Sequence, residues 1–192
     1  MTGTLTDPHL AGLLARVEGV RKDTELLCGG LSAEQFAWKP SPERWSVLQC
    51  LDHLALTNDF LLPRARASVD IARAQKLERR KPYEPSWKGR WWIKVVDPDG
   101  SFRFPAPRIF RPDRQPAPDR WRIFLEQQST LASILRDADG LDLNAAWMTL
   151  PVNRFLRFSL GDCLTAVTFH EQRHVRQAQR VLAAGPPRHP PG

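Results

Sequence analysis

Trp45-Ser46-Val47-Leu48-Gln49-Cys50-Leu51-Asp52-His53-Leu54 is the stretch that decides how this chain of 192 residues is read. Ser46 and Gln49 stand at capping-box spacing, so the serine can accept from a free backbone N–H while the glutamine reaches back. A helix should start there. Leu48, Leu51, Leu54, Leu56, Phe60 and Leu61 then follow at helical intervals. His53 falls two turns in, on the side shared with Cys50, Leu56, Thr57 and Phe60, where an imidazole is out of place unless it has a partner. Pro63 is expected to kink or interrupt the helix, because its ring removes a bond and meets the preceding turn; helix can resume from Ala65 to Arg80.

The same pattern extends in both directions. Upstream, Asp7 before Pro8 is a helix start, and Leu10, Leu13, Leu14, Val17, Val20, Thr24 and Leu27 form one stripe that ends at Gly29-Gly30. A short turn capped by Ser32 and Gln35 follows and breaks at Pro40 and Pro42. Downstream, Trp121, Phe124, Leu125, Gln128, Leu131, Ile134 and Leu135 predict a third main helix ending near Asp139-Gly140, and a fourth runs from about Ser159 to Ala184. Four amphipathic helices without runs of alternating strand pattern imply an all-α antiparallel bundle.

Composition bounds the rest. Hydrophobic residues make up 42% and charged residues 26%, which excludes intrinsic disorder. The length suits one domain on a scale of about 100–200 residues each. The expected organisation is one helical domain over residues 1–184 and a Pro-rich disordered tail over 185–192. No run of apolar residues reaches the roughly 18 that a membrane span needs, and the first residues lack a signal-peptide pattern, so the expected compartment is the cytoplasm with no membrane partner. Cys28, Cys50 and Cys163 are odd in number and lack CxxC spacing, which suits reduced thiols. The net charge of +7 arises between Arg64 and Arg122, a segment that also holds the prolines from Pro82 to Pro118 and reads as an irregular connection between the second and third helices.

The chemistry lies with the histidines. His170-Glu171-Gln172-Arg173-His174 puts two imidazoles four residues apart on a helix, about one turn of rise and ~40° of rotation, on a stripe shared with Cys163, Val167, Gln177, Ala178 and Val181. One such ring is an ordinary core histidine; two on one stripe point to a metal. The pentapeptide also fits the H-E-x-x-H pattern of zinc proteases. That reading lacks a third ligand downstream, where only His189 follows, and the extended form fails because Gln177 and Arg180 occupy the required Gly and His positions. His53, from another helix, is the better third ligand. Three neutral imidazoles leave an ion part of its coordination open, as catalytic sites do, and imidazole suits zinc, nickel, iron and copper.

The Trp45-Ser46 helix start with His53, and His170 to Arg180 more than a hundred residues later, resemble the DinB-like superfamily; Phe102 to Pro112 resembles the connection of one of its branches. The resemblance implies an up-down-down-up four-helix bundle with a long Pro-rich connection between helices 2 and 3. By motif position it implies a divalent metal on His53, His170 and His174, with zinc or nickel ahead of iron or manganese. Characterised relatives include S-transferases that use bacillithiol and isomerases that use mycothiol. A low-molecular-weight thiol and a small electrophile are therefore the expected partners, and thiol S-transfer the expected activity. The alternatives are metal-dependent hydrolysis and a non-catalytic metal- or nucleic-acid-binding stress protein. A homodimer follows from the resemblance alone.

Residues around the histidines have less specific readings. Gln177 could orient a ligand and Arg173 could bind an anionic group, although both suit ordinary boundary positions. Glu171, about 100° from His170, is read as solvent-facing ahead of a hydrogen-bonding role toward a histidine, and Asp52 has the same two readings. Cys50 and Cys163 are not counted as ligands. Lys88-Gly89-Arg90-Trp91-Trp92-Ile93-Lys94 mixes charge with aromatic surface. Stacking on single-stranded nucleic acid is one reading of it; a lid whose Trp87, Trp91 and Trp92 wall an apolar pocket is another; a solvated connection over the bundle end is the plainest.

Overall fold

The computed structural model describes residues 5–102, 105–149 and 157–185, so the expected tail lies almost wholly outside the described residues. The described residues are mostly helical: α1 Pro8–Cys28, α2 Ala33–Ala37, α3 Val47–Ala74, α4 Trp87–Val96, α5 Arg120–Asp137 and α6 Leu160–Ala183. None of these helices is long and apolar enough to cross a membrane.

Local chemistry sets the helix starts. Asp7 accepts from the backbone N–H groups of His9 and Leu10 ahead of Pro8, and the capping boxes of Ser32 with Gln35 and Ser46 with Gln49 are both formed. Pro63 does not interrupt α3. Pro63 and Asp59, whose carbonyl loses its helical partner, are both exposed, so water can satisfy that carbonyl. The helix does end earlier than its apolar pattern allows. It stops at Ala74, and Lys76 then adopts a positive φ of 53°.

Four long helices enclose two apolar clusters. Leu10, Leu13, Leu61, Leu62, Leu131, Leu135, Leu160 and Leu164 belong to one, and Val20, Leu51, Leu54, Phe124, Val175 and Val181 to the other. Polar pairs tie the helices at matched heights. α1 meets α6 through His9 and Thr165 at 2.8 Å and through Arg16 and Gln172 at 2.7 Å. α3 meets α5 through Asp52 and Arg120 at 2.6 Å, Asp59 and Gln127 at 2.8 Å, and Arg66 and Asp137 at 2.6 Å.

Two features depart from an irregular connection and a strandless chain. The basic Pro-rich segment contains α4, whose Ser86 N-cap accepts from Gly89 N–H. Asp162, buried at the start of α6, accepts from Tyr83 Oη at 2.8 Å, Ser86 N at 3.2 Å and Ser86 Oγ at 2.7 Å, which fixes α4 on α6. Gly89 is required at this contact, because a Cβ there would overlap the Asp162 carboxylate. A small antiparallel sheet pairs β1, Trp147–Thr149, with β2, Arg157–Ser159, placing Met148 opposite Phe158 in the core.

Candidate metal centre

α3 supplies one imidazole and α6 two, and the packing of these helices brings them together. Ligand atoms of His53, His170 and His174 all lie within 4.8 Å of one another, close enough to hold one metal ion. The ring centroids are 4.6 Å apart for His53 with His174 and for His170 with His174, and 5.0 Å for His53 with His170. Trp45 closes one side, with its ring 4.9 Å from that of His53 and 5.7 Å from that of His174. No cysteine joins them. All three thiols are free and buried, and burial pushes Cys28 and Cys50 up to about 12 and Cys163 well above its ordinary range.

The donor set fits a divalent ion. His53 Nδ1 lies 2.5 Å from the Phe110 carbonyl oxygen, which can only accept. Nδ1 therefore carries the proton, and Nε2, 3.1 Å from His170 Nε2, presents a lone pair. Burial lowers the pKa of His53 against the opposing effects of Phe110 and Asp52. Burial also holds His170 and His174 well below the ordinary imidazole value, helped by neighbouring rings and Arg173 and, at His174, opposed by the Gln177 side chain. All three are thus neutral near pH 7, the form in which an imidazole can bind a metal ion. His174 Nδ1 is buried without a hydrogen-bond partner, the kind of orphan that a metal or a bound group resolves.

The cluster opens on a cavity of about 770 Å³ lined by α3, α4, α6 and the segments around Pro40–Trp45 and Pro105–Phe110. Trp92, which packs on Phe158 with ring centroids 4.7 Å apart, contributes to its wall. Trp87 and Trp91 do not: they are exposed on the outer face of α4, so only one of the three tryptophans serves the pocket.

Three readings of the flanking residues are corrected. Glu171 is not solvent-facing. It is fully buried and turned away from the cavity, where its Oε1 accepts from Asn58 Nδ2 at 2.8 Å and Gln128 Nε2 at 3.2 Å. Burial raises it to about 7 against those two bonds. Asp52 is buried as well, accepting from Arg120 Nε at 2.6 Å and Asp113 N at 3.0 Å rather than from a histidine. Arg173 lines the cavity but directs its guanidinium to the backbone oxygens of Asp97, Gly100 and Phe102. Gln177 does line the cavity, one turn beyond His174. Sequence spacing missed Asn58, Gln128 and the Phe110 carbonyl; a polar residue on an apolar stripe was the available signal for the first two.

Neutral imidazoles from two packed helices, gathered at the floor of an open cavity, define a candidate mononuclear metal centre of the three-histidine kind. A family model described as the DinB superfamily matches residues 16–178, which include all three histidines, and the chain belongs to that superfamily. No curated protein and no solved structure matches it.

Proposed function

We propose that this chain is a divalent-metal-dependent S-transferase that joins a low-molecular-weight thiol to a small electrophile. The observation that carries the reading is the orientation of Glu171. Activating water beside a metal in the H-E-x-x-H manner requires a carboxylate facing the bound water, and this one is closed into the core by Asn58 and Gln128. The carboxylate that does line the cavity, Glu43, is exposed and accepts from Ser41 Oγ. Thiol transfer needs no such base.

An ion held by His53, His170 and His174 would supply Lewis acidity that favours the thiolate form of a bound thiol near pH 7. The chain's own residues do the rest. Phe110 fixes the His53 tautomer, Trp45 shields the rings from water, and Trp92 walls the electrophile's side. The protein's cysteines are buried and remain thiols, so the nucleophilic sulfur comes from the substrate. In the reaction a sulfur–carbon bond forms, the bond to the leaving group breaks with its electron pair, and the thiol proton passes to solvent.

The family match and the interhelical pairs support assigning residues 1–184 to one up-down-down-up bundle: α1 parallels α6 in the His9–Thr165 and Arg16–Gln172 contacts, and α3 parallels α5 in the Asp52–Arg120 and Arg66–Asp137 contacts. The test of function is a screen of thiols with 1-chloro-2,4-dinitrobenzene on zinc- and nickel-loaded protein. Thiol-dependent turnover that vanishes in His174→Ala is expected. Turnover of ester or amide substrates without thiol would establish hydrolysis instead.

A further inference from the structure

The cavity changes character along its length. From Val167 to Arg180, α6 lines it continuously through His170, His174 and Gln177, a rise of about 20 Å at ~1.5 Å per residue, with the histidines between the ends. α3 runs past in the opposite sense. Its Val47–Ala55 portion shares an apolar cluster with Val175 and Val181, and its Leu61 shares the other cluster with Val167.

At the Val167 end the lining is apolar: Ala166, Val167, Leu61 and Trp92, the last three sharing one apolar cluster or packing against it, whereas Val95 and Phe102 lie farther along, beside Arg173. Arg173, between the two α6 histidines, is engaged by loop carbonyl oxygens. At the Arg180 end charged and polar groups join the lining: Glu43, Arg44, Gln177 and Arg180, beside Pro40, Trp45 and Val181. Glu43 accepts from Ser41 and stays ionised, so two cations face one anion at this end; Arg44 and Arg180 are exposed and form no ion pair among the described residues.

We infer that the cavity takes a two-ended ligand, with an anionic group held by Arg44 and Arg180 and an aryl or branched alkyl group seated against Trp92 and Leu61, on opposite sides of the histidine cluster. Guanidinium groups without carboxylate partners are free to pair with an anion. An apolar wall of this kind binds area removed from water and gives no reward for charge. The inference shares the cavity with the proposed thiol transfer and names the shape of what enters it.

Calorimetry on the zinc-loaded full chain with 4-phenylbutyrate, butyrate and 4-phenylbutanol tests it. None of these probes carries a thiol or an electrophilic carbon, so the outcome is independent of whether S-transfer occurs. We expect 4-phenylbutyrate to bind about tenfold or more tightly than either single-ended probe. The double variant Arg44→Gln/Arg180→Gln, at exposed positions, should abolish its advantage over 4-phenylbutanol while keeping its advantage over butyrate. Trp92→Leu, which keeps an apolar contact for Phe158, should do the reverse; Leu61→Ala provides a second variant at the same end if it misfolds, with zinc content as the check on folding. Equal affinity for the three probes, or no measurable binding, would overturn the inference. So would a carboxylate advantage that survives loss of both arginines, because the anion would then sit on the metal.

Discussion

His170 and Glu171 are neighbours on α6, yet they face two kinds of buried polarity. His170 joins His53 and His174 at the cavity floor, where neutral rings crowd together and His174 Nδ1 lacks a partner. Glu171 joins Asn58 and Gln128 inside the core, where amide donors converge on one carboxylate oxygen while Glu171 Oε2 and Gln128 Oε1 lack partners. The first group lines the cavity and can be completed from outside. The second holds the helices together. A polar residue on a helix stripe thus says little until its partners from other helices are known, because 100° of rotation separates a ligand from a strut.

Loss of one ring should break the first group most severely. Zinc at about a thousand times its Kd should stabilise the wild-type protein by ~4 kcal/mol. His174→Ala should abolish that gain in thermal unfolding, whereas Glu171→Ala should keep a clear zinc response. The core group should show the converse behaviour. Glu171→Ala strands the Asn58 and Gln128 donors and should cost about 2–4 kcal/mol in metal-free denaturant unfolding. A metal-free His174→Ala protein should lose far less, since that ring lines the cavity, where water can take its place.

The pH dependence separates the groups further. The folded state holds Glu171 at about 7 against an ordinary 4.5, so it retains a proton that the unfolded chain releases. That contribution is present at low pH and is lost as pH rises through this window. The imidazoles run the other way: held below 6.5, they cost stability as pH falls through that value. Glu171→Gln cannot ionise and keeps an acceptor for the two amides. Metal-free Glu171→Gln should therefore gain about 1–3 kcal/mol on wild type at pH 8 and gain nothing at pH 4. An equal effect at both pH values would show that the carboxylate is not protonated in the core.

A smaller effect joins the two regions. Asp52 anchors Asp113 and Arg120 and so steadies the segment whose Phe110 carbonyl orients His53. Asp52→Asn should weaken zinc binding about tenfold and also lower metal-free stability by about 1–3 kcal/mol, because Arg120 loses the anion it is buried against. Competition with a chromophoric chelator measures the affinity, and an unchanged value would remove Asp52 from the support of the site.

Much of this was legible because it is local. Asp7 before Pro8, Ser32 with Gln35 and Ser46 with Gln49 cap their own helices, and the apolar stripes fix which face each long helix buries. The histidines were legible for the same reason, since two on one turn and a third on a facing stripe must approach when those faces pack. What escaped depends on partners far away in the chain. Eight prolines hid α4, which is held by Asp162 of α6 rather than by its own pattern. Glu171 needed Asn58 and Gln128 from two other helices, and Arg173 found backbone oxygens that no side-chain pattern records. Three-residue strands such as β1 and β2 are too short to show alternation.

X-ray absorption spectroscopy of the zinc-loaded, untagged protein tests the convergence of the three rings most directly. The expected spectrum has three imidazole nitrogens at about 2.0–2.1 Å with no sulfur in the first shell, and a Zn–S distance of roughly 2.3 Å appearing only when thiol is added. Two or fewer imidazoles, or sulfur from the protein without added thiol, would contradict it.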